Sequence, residues 1–587
     1  MPWAHAADHA GVDLAQLDGW DIVVPQDGIA TEFYAAAEFQ RFFAEATGSR
    51  LPIVNETDRP GHHVFIGPSD AMQDSNVGFP VTGMGPEDLR LVVHNGNIAI
   101  AGGRPRGTLF GVYTFLEDYL AIRFLTPDHT YVPVVGSQRM IGPSDRIYRP
   151  PFANYRGVGY GVRENSFFAV RHRANNLYSD PDFGIGTPFC SPFINIGHSF
   201  YRQIPLDQYA EEHPEYFCLW DGQRDNKHTH THYCLSNAEL IPIVTKAVTG
   251  EIEHPSSEGR MNFAVSQNDT MWEYCQCDKC MAIFEEEGSH MGVLLRFVNA
   301  VADNVAQTHP DVYIGTLAYG FTRKPPTRTV CRENVQVNLS SIAACQLHAF
   351  TDASCATNVS FKEDLDGWSR ICGHLYSWVY GIDFHDYLLP YPNLQTIRPN
   401  IHTLLDAGVE GVFVQCSEWP VAEMSDLRHY LISRLLWNPD YDAQELIDEF
   451  LTLHYGQAAP AIQRFLDLIQ DHYANAGTHN ASCIASMWDL PVDPNVARQG
   501  LDIFAKALAS ADDWRIKKRV EKASLCAYRA ALDPVWRMEE GAEVSPALQE
   551  SMCPLAAEFF RLCDAYGLSR QIETDRQRLQ NLLSFMK

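Results

Sequence analysis

Met261-Asn262-Phe263-Ala264-Val265-Ser266-Gln267-Asn268-Asp269, followed at once by Trp272 and then Cys275, Cys277 and Cys280, reads as a buried strand that stops abruptly on two adjacent polar residues. An apolar run of strand length that ends in a carboxamide and a carboxylate, before an aromatic-rich loop, is what a β/α barrel presents at its catalytic face. Asn268 and Asp269 are therefore the first candidates for chemistry.

Outward from this stretch, residues 148–438 repeat a strand, loop, helix period. Candidate strands are Ala153–Val158, Phe193–Gly197, Met261–Ser266, Tyr313–Leu317, Val335–Leu339, Gly373–Val379 and Gly411–Gln415, with helical patterns at Met291–Ala306 and Leu394–Ala407. That alternation predicts an α/β fold, a (β/α)8 TIM barrel with its active site at the carboxyl ends of the strands. Residues 1–147 carry short β-like runs around two amphipathic helices. The first, Ala30–Ala46, places Phe33, Ala37, Phe42 and Phe43 near one face, and the second starts at Gly107; together they predict an accessory α/β domain. Residues 439–587 are helical almost throughout, in Ala443–His454, Ala459–Ala474, Val496–Ala511 and Asp513–Ala531, and predict an α-helical C-terminal domain. Those helices either pack on the barrel or form a homodimer interface.

The chain has 587 residues, 45% hydrophobic and 20% charged, ordinary for a globular protein of two or three domains. A net charge of -28 sets it against nucleic acid and anionic membrane surfaces as partners. No apolar run is long enough to span a bilayer, and Met1-Pro2-Trp3-Ala4-His5 lacks the features of a signal peptide. Fifteen Cys, an odd number scattered through expected strands, argue against a disulfide framework and for a reduced, cytoplasmic compartment; a secreted or periplasmic location holds if a signal peptide was removed.

Several expected strand ends carry residues that a purely structural barrel does not need: Arg156, His198, Asn268-Asp269, Tyr319, Trp378 and Tyr380, and Glu418-Trp419. Aromatic faces beside Arg, His, Asp and Glu are how hydroxyl-rich sugars are held, so the set predicts a glycan or oligosaccharide substrate. Taken singly, Arg156 and His198 read equally well as satisfied core residues, the two Trp as packing, and Glu418 as a helix cap. A carboxylate beside a carboxamide at a strand end has few structural reasons to be there, which puts Asp269 first.

Cys275, Cys277 and Cys280 form a compact thiol cluster that Cys345 would complete as a structural zinc site, with His348 and Cys355 as further candidates; the alternative is reduced thiols that merely pack. The His228–His232 run reads as a solvated loop. Neither a Gly-x-Gly-x-x-Gly turn nor a Walker-type loop nor a Gly-x-Ser-x-Gly elbow occurs, so no cofactor is expected for catalysis and carboxylate acid-base chemistry remains.

Two sets of residues carry a family resemblance over roughly the first 460 positions. Thr31–Phe39, Phe65-Ile66-Gly67 and Gly103–Tyr113 look like the non-catalytic domain that precedes the barrel in α-glucuronidases and β-hexosaminidases. His213–Phe217, Ser266–Asp269, the Cys275–Cys280 cluster, Tyr387–Asn393 and Leu435–Pro439 are similar to glycoside hydrolase family 163 and its relatives. The resemblance implies a retaining β-N-acetylhexosaminidase acting on GlcNAc or GalNAc, in which the substrate's own 2-acetamido oxygen attacks the anomeric carbon. Asp269 would be the general acid/base and Asn268 the acetamide orienter, where β-hexosaminidases of this architecture have an Asp-Glu pair. Glu418 or Glu423 are substitute acids, Trp272 or Trp419 would supply an apolar setting, and Arg156, His198, Tyr319, Trp378 and Tyr380 would grip the sugar. An inverting α-glucuronidase-like enzyme using Asp269 and Glu418, and a carbohydrate-binding barrel without activity, are the alternatives.

Overall fold

The computed structural model describes residues 11–159, 165–176, 190–225, 227, 231–271, 273–417, 422–485, 488–538 and 545–567. The chain divides into two compact units, one of Met1–Ala153 with Glu164–Ser191 and one of Asn154–Arg163 with Pro192–Lys587.

In the first unit, short β-branched and aromatic runs form strands β1 (Asp21–Val23), β2 (Ile53–Val54), β3 (His63–Ile66), β4 (Leu89–His94), β5 (Asn97–Gly102) and β6 (Ser144–Tyr148), ordered β6-β4-β5-β3-β1-β2. β4 and β5 form a hairpin on Asn95-Gly96, both at positive φ, the signature of a tight hairpin turn. Helices α1 (Ala30–Thr47) and α2 (Gly107–Leu120) pack together, with Phe39 and Phe115 ring centroids 5.5 Å apart. The buried stripe of α1 is Ala35, Ala36, Phe39, Phe42, Phe43 and Ala46. Phe33 is 43% exposed and Ala37 is exposed too, so the apolar face is rotated from the expected one. Buried ion pairs Arg106–Glu87 and Arg173–Glu117 tie the unit together.

The second unit is built on six parallel strands: β7 (Tyr155–Val158), β8 (Asn262–Ala264), β9 (Tyr313–Ala318), β10 (Val335–Ser340), β11 (His374–Tyr380) and β12 (Gly411–Gln415). Their order is β7-β12-β11-β10-β9-β8, so the first strand pairs with the last, Tyr155 opposite Gly411. Helix α3 (Leu240–Ile252) precedes β8, and α4 (Asp278–Glu287) and α5 (Met291–Val305) lead to β9. α6 (Ala356–Ile371) joins β10 to β11, α7 (Leu394–Asp406) joins β11 to β12, and α8 (Ser425–Trp437) follows.

The sheet curls. Phe193, beside β8, and Tyr376 on β11 have ring centroids 6.2 Å apart although two strands lie between them in the sheet. Among the described residues it is a six-stranded part of a barrel rather than the closed eight-stranded one expected. The segment expected as a strand at Phe193–Gly197 runs along the β8 edge without a backbone ladder. Met261 N–H donates to Pro192 O at 2.8 Å, and the Asn262 side chain replaces the next rungs, accepting from Ile194 N at 2.8 Å and donating to Ile194 O at 2.9 Å.

Helices α9 (Ala443–Tyr455), α10 (Ala459–Ala476), α11 (Pro494–Ser510), α12 (Trp514–Ala531) and α13 (Pro546–Ala565) group with the parallel sheet, and four of the five start on Asp or Ser caps. Arg529 of α12 pairs with the buried Asp386 at 2.6 Å, anchoring these helices to the loop after β11. Among the described residues no helix is long and apolar enough to cross a membrane.

Candidate active site

Val265 N–H still donates to Gly315 O at 2.8 Å, and at Ser266 the ladder gives way to a side chain, Oγ accepting from Leu317 N–H at 3.2 Å, which explains why the strand stops. Ser199 and Phe200 N–H both donate to Ser266 O, Ser266 N–H donates to Ser199 Oγ at 2.9 Å, and the Gln267 side chain accepts from Thr322 Oγ1 at 2.6 Å. The turn Asn268–Thr270 is thereby clamped between the segment at Ser199 and the loop after β9.

Within that turn the two candidate residues behave differently. Asn268 is 1% exposed; its amide donates to Thr231 O at 2.6 Å and its oxygen accepts from Tyr201 N–H at 2.9 Å. Its carboxamide is thus engaged in tying two neighbouring loops to the turn. Asp269 has a side chain 66% exposed. Tyr319 Oη lies 2.9 Å from its Oδ1, and His198 Nε2 lies 3.4 Å from the same oxygen. Both contacts fall on Oδ1, so Oδ2 has no partner among the described residues.

Tyr319 and His198 are themselves held. Burial, and then the charge of Asp269, push the Tyr319 phenol well above its ordinary value, so it stays a proton donor across the working range. His198 Nδ1 donates to Gln267 O at 2.7 Å, which fixes the ring and leaves Nε2 facing the carboxylate. The two rings meet edge to face at 5.6 Å. Behind them His232, bonded to Thr270 Oγ1, is pushed down to about 4 by burial and is neutral at ordinary pH.

Trp378 and Tyr380 share one face of β11. Trp378 packs against the apolar cluster of Ile196, Ala264, Leu317 and Tyr319 and donates its indole N–H to Gln415 at 2.7 Å; Tyr380 Oη lies 3.3 Å from Ser340 Oγ, and burial raises its phenol far above the usual range. Side-chain alternation explains where Arg156 goes. Tyr155 shares an aromatic cluster with Tyr376 and Phe413, so its neighbour Arg156 turns to the other face, 1% exposed, with its guanidinium 5.3 Å from the Trp437 ring centroid. It is therefore not placed with Asp269. Glu423 is also buried, paired with Arg428, which further bonds Tyr391 O, Gly381 O and Asn393. Trp272, Glu418 and Trp419 lie outside the described residues.

The expected thiol set is divided. Cys275, Cys277 and Cys280 converge with Cys234, whereas Cys345 lies with His348 and Cys355 in a separate group. Of the run expected as a solvated loop, Thr231 and His232 are buried against the Asn268–Thr270 turn, while His228 and His230 lie outside the described residues. Sequence reasoning missed this contact, and also Tyr201, an exposed aromatic whose N–H meets Asn268. The adjacent Phe200-Tyr201 pair after His198 was the available signal.

The profile of the family described as Domain of unknown function (DUF4838) matches residues 124–467. No curated protein sequence matches the chain. Among solved structures, the fold is similar to a family GH115 4-O-methyl-α-glucuronidase, BtGH115A, with specificity for decorated arabinogalactans. The TM-score is 0.56 at 12% identity, covering 96% of this chain and 79% of that one. It is also similar to CpGH89 from Clostridium perfringens in complex with its substrate GlcNAc-α-1,4-galactose, at a TM-score of 0.50 and 10% identity over 92% of this chain and 65% of that one.

Proposed function

We propose that this chain, which belongs to the DUF4838 family, is a glycoside hydrolase with Asp269 as its acid/base. The observation that carries the reading is the placement of Asp269, an exposed carboxylate just past a parallel strand's carboxyl end, held on one oxygen by Tyr319 and His198, with Tyr319 itself in the apolar cluster against which Trp378 packs. The fold it shares with carbohydrate-cleaving enzymes supports the same class.

The substrate proposed is a β-linked N-acetylhexosaminide, GlcNAc or GalNAc, as the resemblance to family 163 implies. The 2-acetamido oxygen attacks the anomeric carbon, the bond from that carbon to the leaving oxygen breaks, and Asp269 passes its proton to the leaving oxygen. Water then attacks the same carbon, the oxazoline ring opens, and Asp269 takes the water's proton, so configuration is retained. The Asn268 amide is engaged in the protein and the one hydroxyl proton of Tyr319 is engaged by Asp269, so Tyr319 acts by orienting the acid. Asn268 then acts by holding the turn. A second reading, cleavage of an α-linked uronic acid, draws on the likeness to BtGH115A and requires a second carboxylate, for which Glu418 is the candidate.

The test is p-nitrophenol release from β-GlcNAc, β-GalNAc and α-glucuronide glycosides by the wild type, Asp269→Asn and Tyr319→Phe. Hydrolysis of an N-acetylhexosaminide that falls at least about a hundredfold in Asp269→Asn is expected. Turnover of the glucuronide alone establishes the second reading. Binding of oligosaccharides without turnover, unchanged in Asp269→Asn, overturns both and leaves a carbohydrate-binding barrel.

A further inference from the structure

We infer that Cys234, Cys275, Cys277 and Cys280 hold a structural zinc ion that fastens the Asn268–Thr270 turn to the loop running from Thr231 to Cys234. This holds whether or not the protein is a glycosidase.

The four sulfurs come from two segments, Cys234 from the loop ahead of α3 and the other three from the start of α4 and the residues just before it. All four Sγ atoms lie within 4.8 Å of one another, with Cys234 at 3.5 Å from Cys277 and 4.0 Å from Cys280. A zinc ion bound by four thiolates at about 2.3 Å sets sulfurs at the corners of a tetrahedron with edges of about 3.8 Å. The observed spacings bracket that edge. They are far from the roughly 2.05 Å of a disulfide, and all the cysteines are free thiols.

Cys234, Cys275 and Cys280 are buried and Cys277 is half-buried, so the cage leaves no open coordination position of the kind a catalytic zinc needs. Four soft sulfur donors exclude magnesium and calcium as natural occupants. The surroundings suit the net negative charge of such a centre. Leu219 N–H points at Cys275 Sγ at 3.4 Å, Ser236 Oγ lies 3.1 Å from Cys280 Sγ, and the Arg224 guanidinium lies against Cys234. Cys218 packs next to Cys275 as a fifth thiol, outside the tetrahedral group.

The position of the cage gives it a task. Thr231 O and His232 Nε2, just upstream of Cys234, contact Asn268 and Thr270, and Cys275 follows the same turn a few residues downstream. Zinc therefore joins both segments that shape the turn.

Metal analysis of the full chain purified under reducing, chelator-free conditions tests this. About one zinc per chain is expected, falling below about a tenth of that in Cys234→Ser and Cys277→Ser and staying near the wild-type content in Cys218→Ala and Cys345→Ser. Because the serine variants can lose zinc by failing to fold, the wild type is also loaded with cobalt(II), whose absorption reports tetrahedral thiolate coordination, and is titrated with a mercurial that releases the metal as thiols react. Overturning outcomes are a folded wild type without zinc whose cobalt form lacks that spectrum, iron in place of zinc, a Cys234–Cys277 disulfide in the native protein, or zinc that survives both serine changes and disappears with Cys345→Ser.

Discussion

Replacing Asn268 by Ala separates a residue that builds the site from one that touches the substrate. The side chain satisfies two backbone groups, Thr231 O at 2.6 Å and Tyr201 N–H at 2.9 Å, in a setting where Asn268 itself is 1% exposed. Each group left without this partner costs about 1–3 kcal/mol, since the loss is the desolvation of a buried donor or acceptor rather than the net value of one hydrogen bond. The Tyr201 amide then opens more readily by the same amount, about 5- to 150-fold in exchange rate. Hydrogen exchange read by mass spectrometry, on peptides that cover Tyr201 and Thr231 in the wild type and in Asn268→Ala, measures that opening without requiring the whole chain to unfold in one step. Peptides from the Leu89–Gly102 hairpin serve as the unaffected reference. Asn268→Asp keeps the acceptor for Tyr201 but sets an oxygen against Thr231 O, so protection at Tyr201 is largely retained while the Thr231 segment loosens. If Asn268→Ala leaves exchange at both segments unchanged and still removes activity, the carboxamide acts on substrate directly and the loop-tie reasoning is wrong.

Three further outcomes follow from the packing. Arg428→Met leaves Glu423 buried without its cation, and a loss of about 3–5 kcal/mol in urea denaturation is expected, smaller when Glu423→Gln is made in the same chain. His429 is pushed down to about 4 by burial, below its ordinary 6.5, so between those values the unfolded chain binds a proton that the folded one does not; stability is full above pH 6.5 and declines as pH falls toward 4, and His429→Gln flattens that part of the pH–stability curve. Gly315→Ala places a methyl 2.3 Å from Ile196 Cγ1 inside the curl of the sheet and costs about 1–3 kcal/mol by thermal melting; equal costs with and without Ile196→Ala refute the clash as its cause.

Much of the fold was legible because it rests on periodicity. The runs at Tyr313, Val335, Gly373 and Gly411 became β9 to β12, and helices such as Met291–Val305 begin where the apolar pattern begins. Phe193–Gly197 reads as a strand from its composition but makes no backbone ladder, because its partner groups are on the Asn262 side chain, and nothing in the period of a sequence distinguishes a rung supplied by a side chain from one supplied by a backbone. Arg156 was misplaced by parity: a strand end tells which residues are near a site, but only the pleat tells which face each takes. The same limit applied to α1, where Phe33 fits an apolar count yet lies outside the buried stripe. Cys234 lay beyond reach of spacing rules, being separated from Cys275 by a helix and a strand, so only folding brings the fourth thiol to the other three.

The pairing of β7 with β12 has a consequence for how the chain comes to be made. Tyr155 and its ladder partner Gly411 are separated by 411 − 155 = 256 residues. At ribosomal rates of about 5–20 residues per second, β7 waits roughly 13–50 seconds for that partner to be synthesised. Among the described residues its only neighbour in the sheet is β12. Tyr155 and Val158, both buried in the finished protein, stand on an open strand edge through that interval, and only towards its end do β8 to β11 have one another. The nascent chain is thus most exposed to mispairing late in translation, and that interval is where slowed synthesis or a ribosome-bound chaperone would change the yield of native protein.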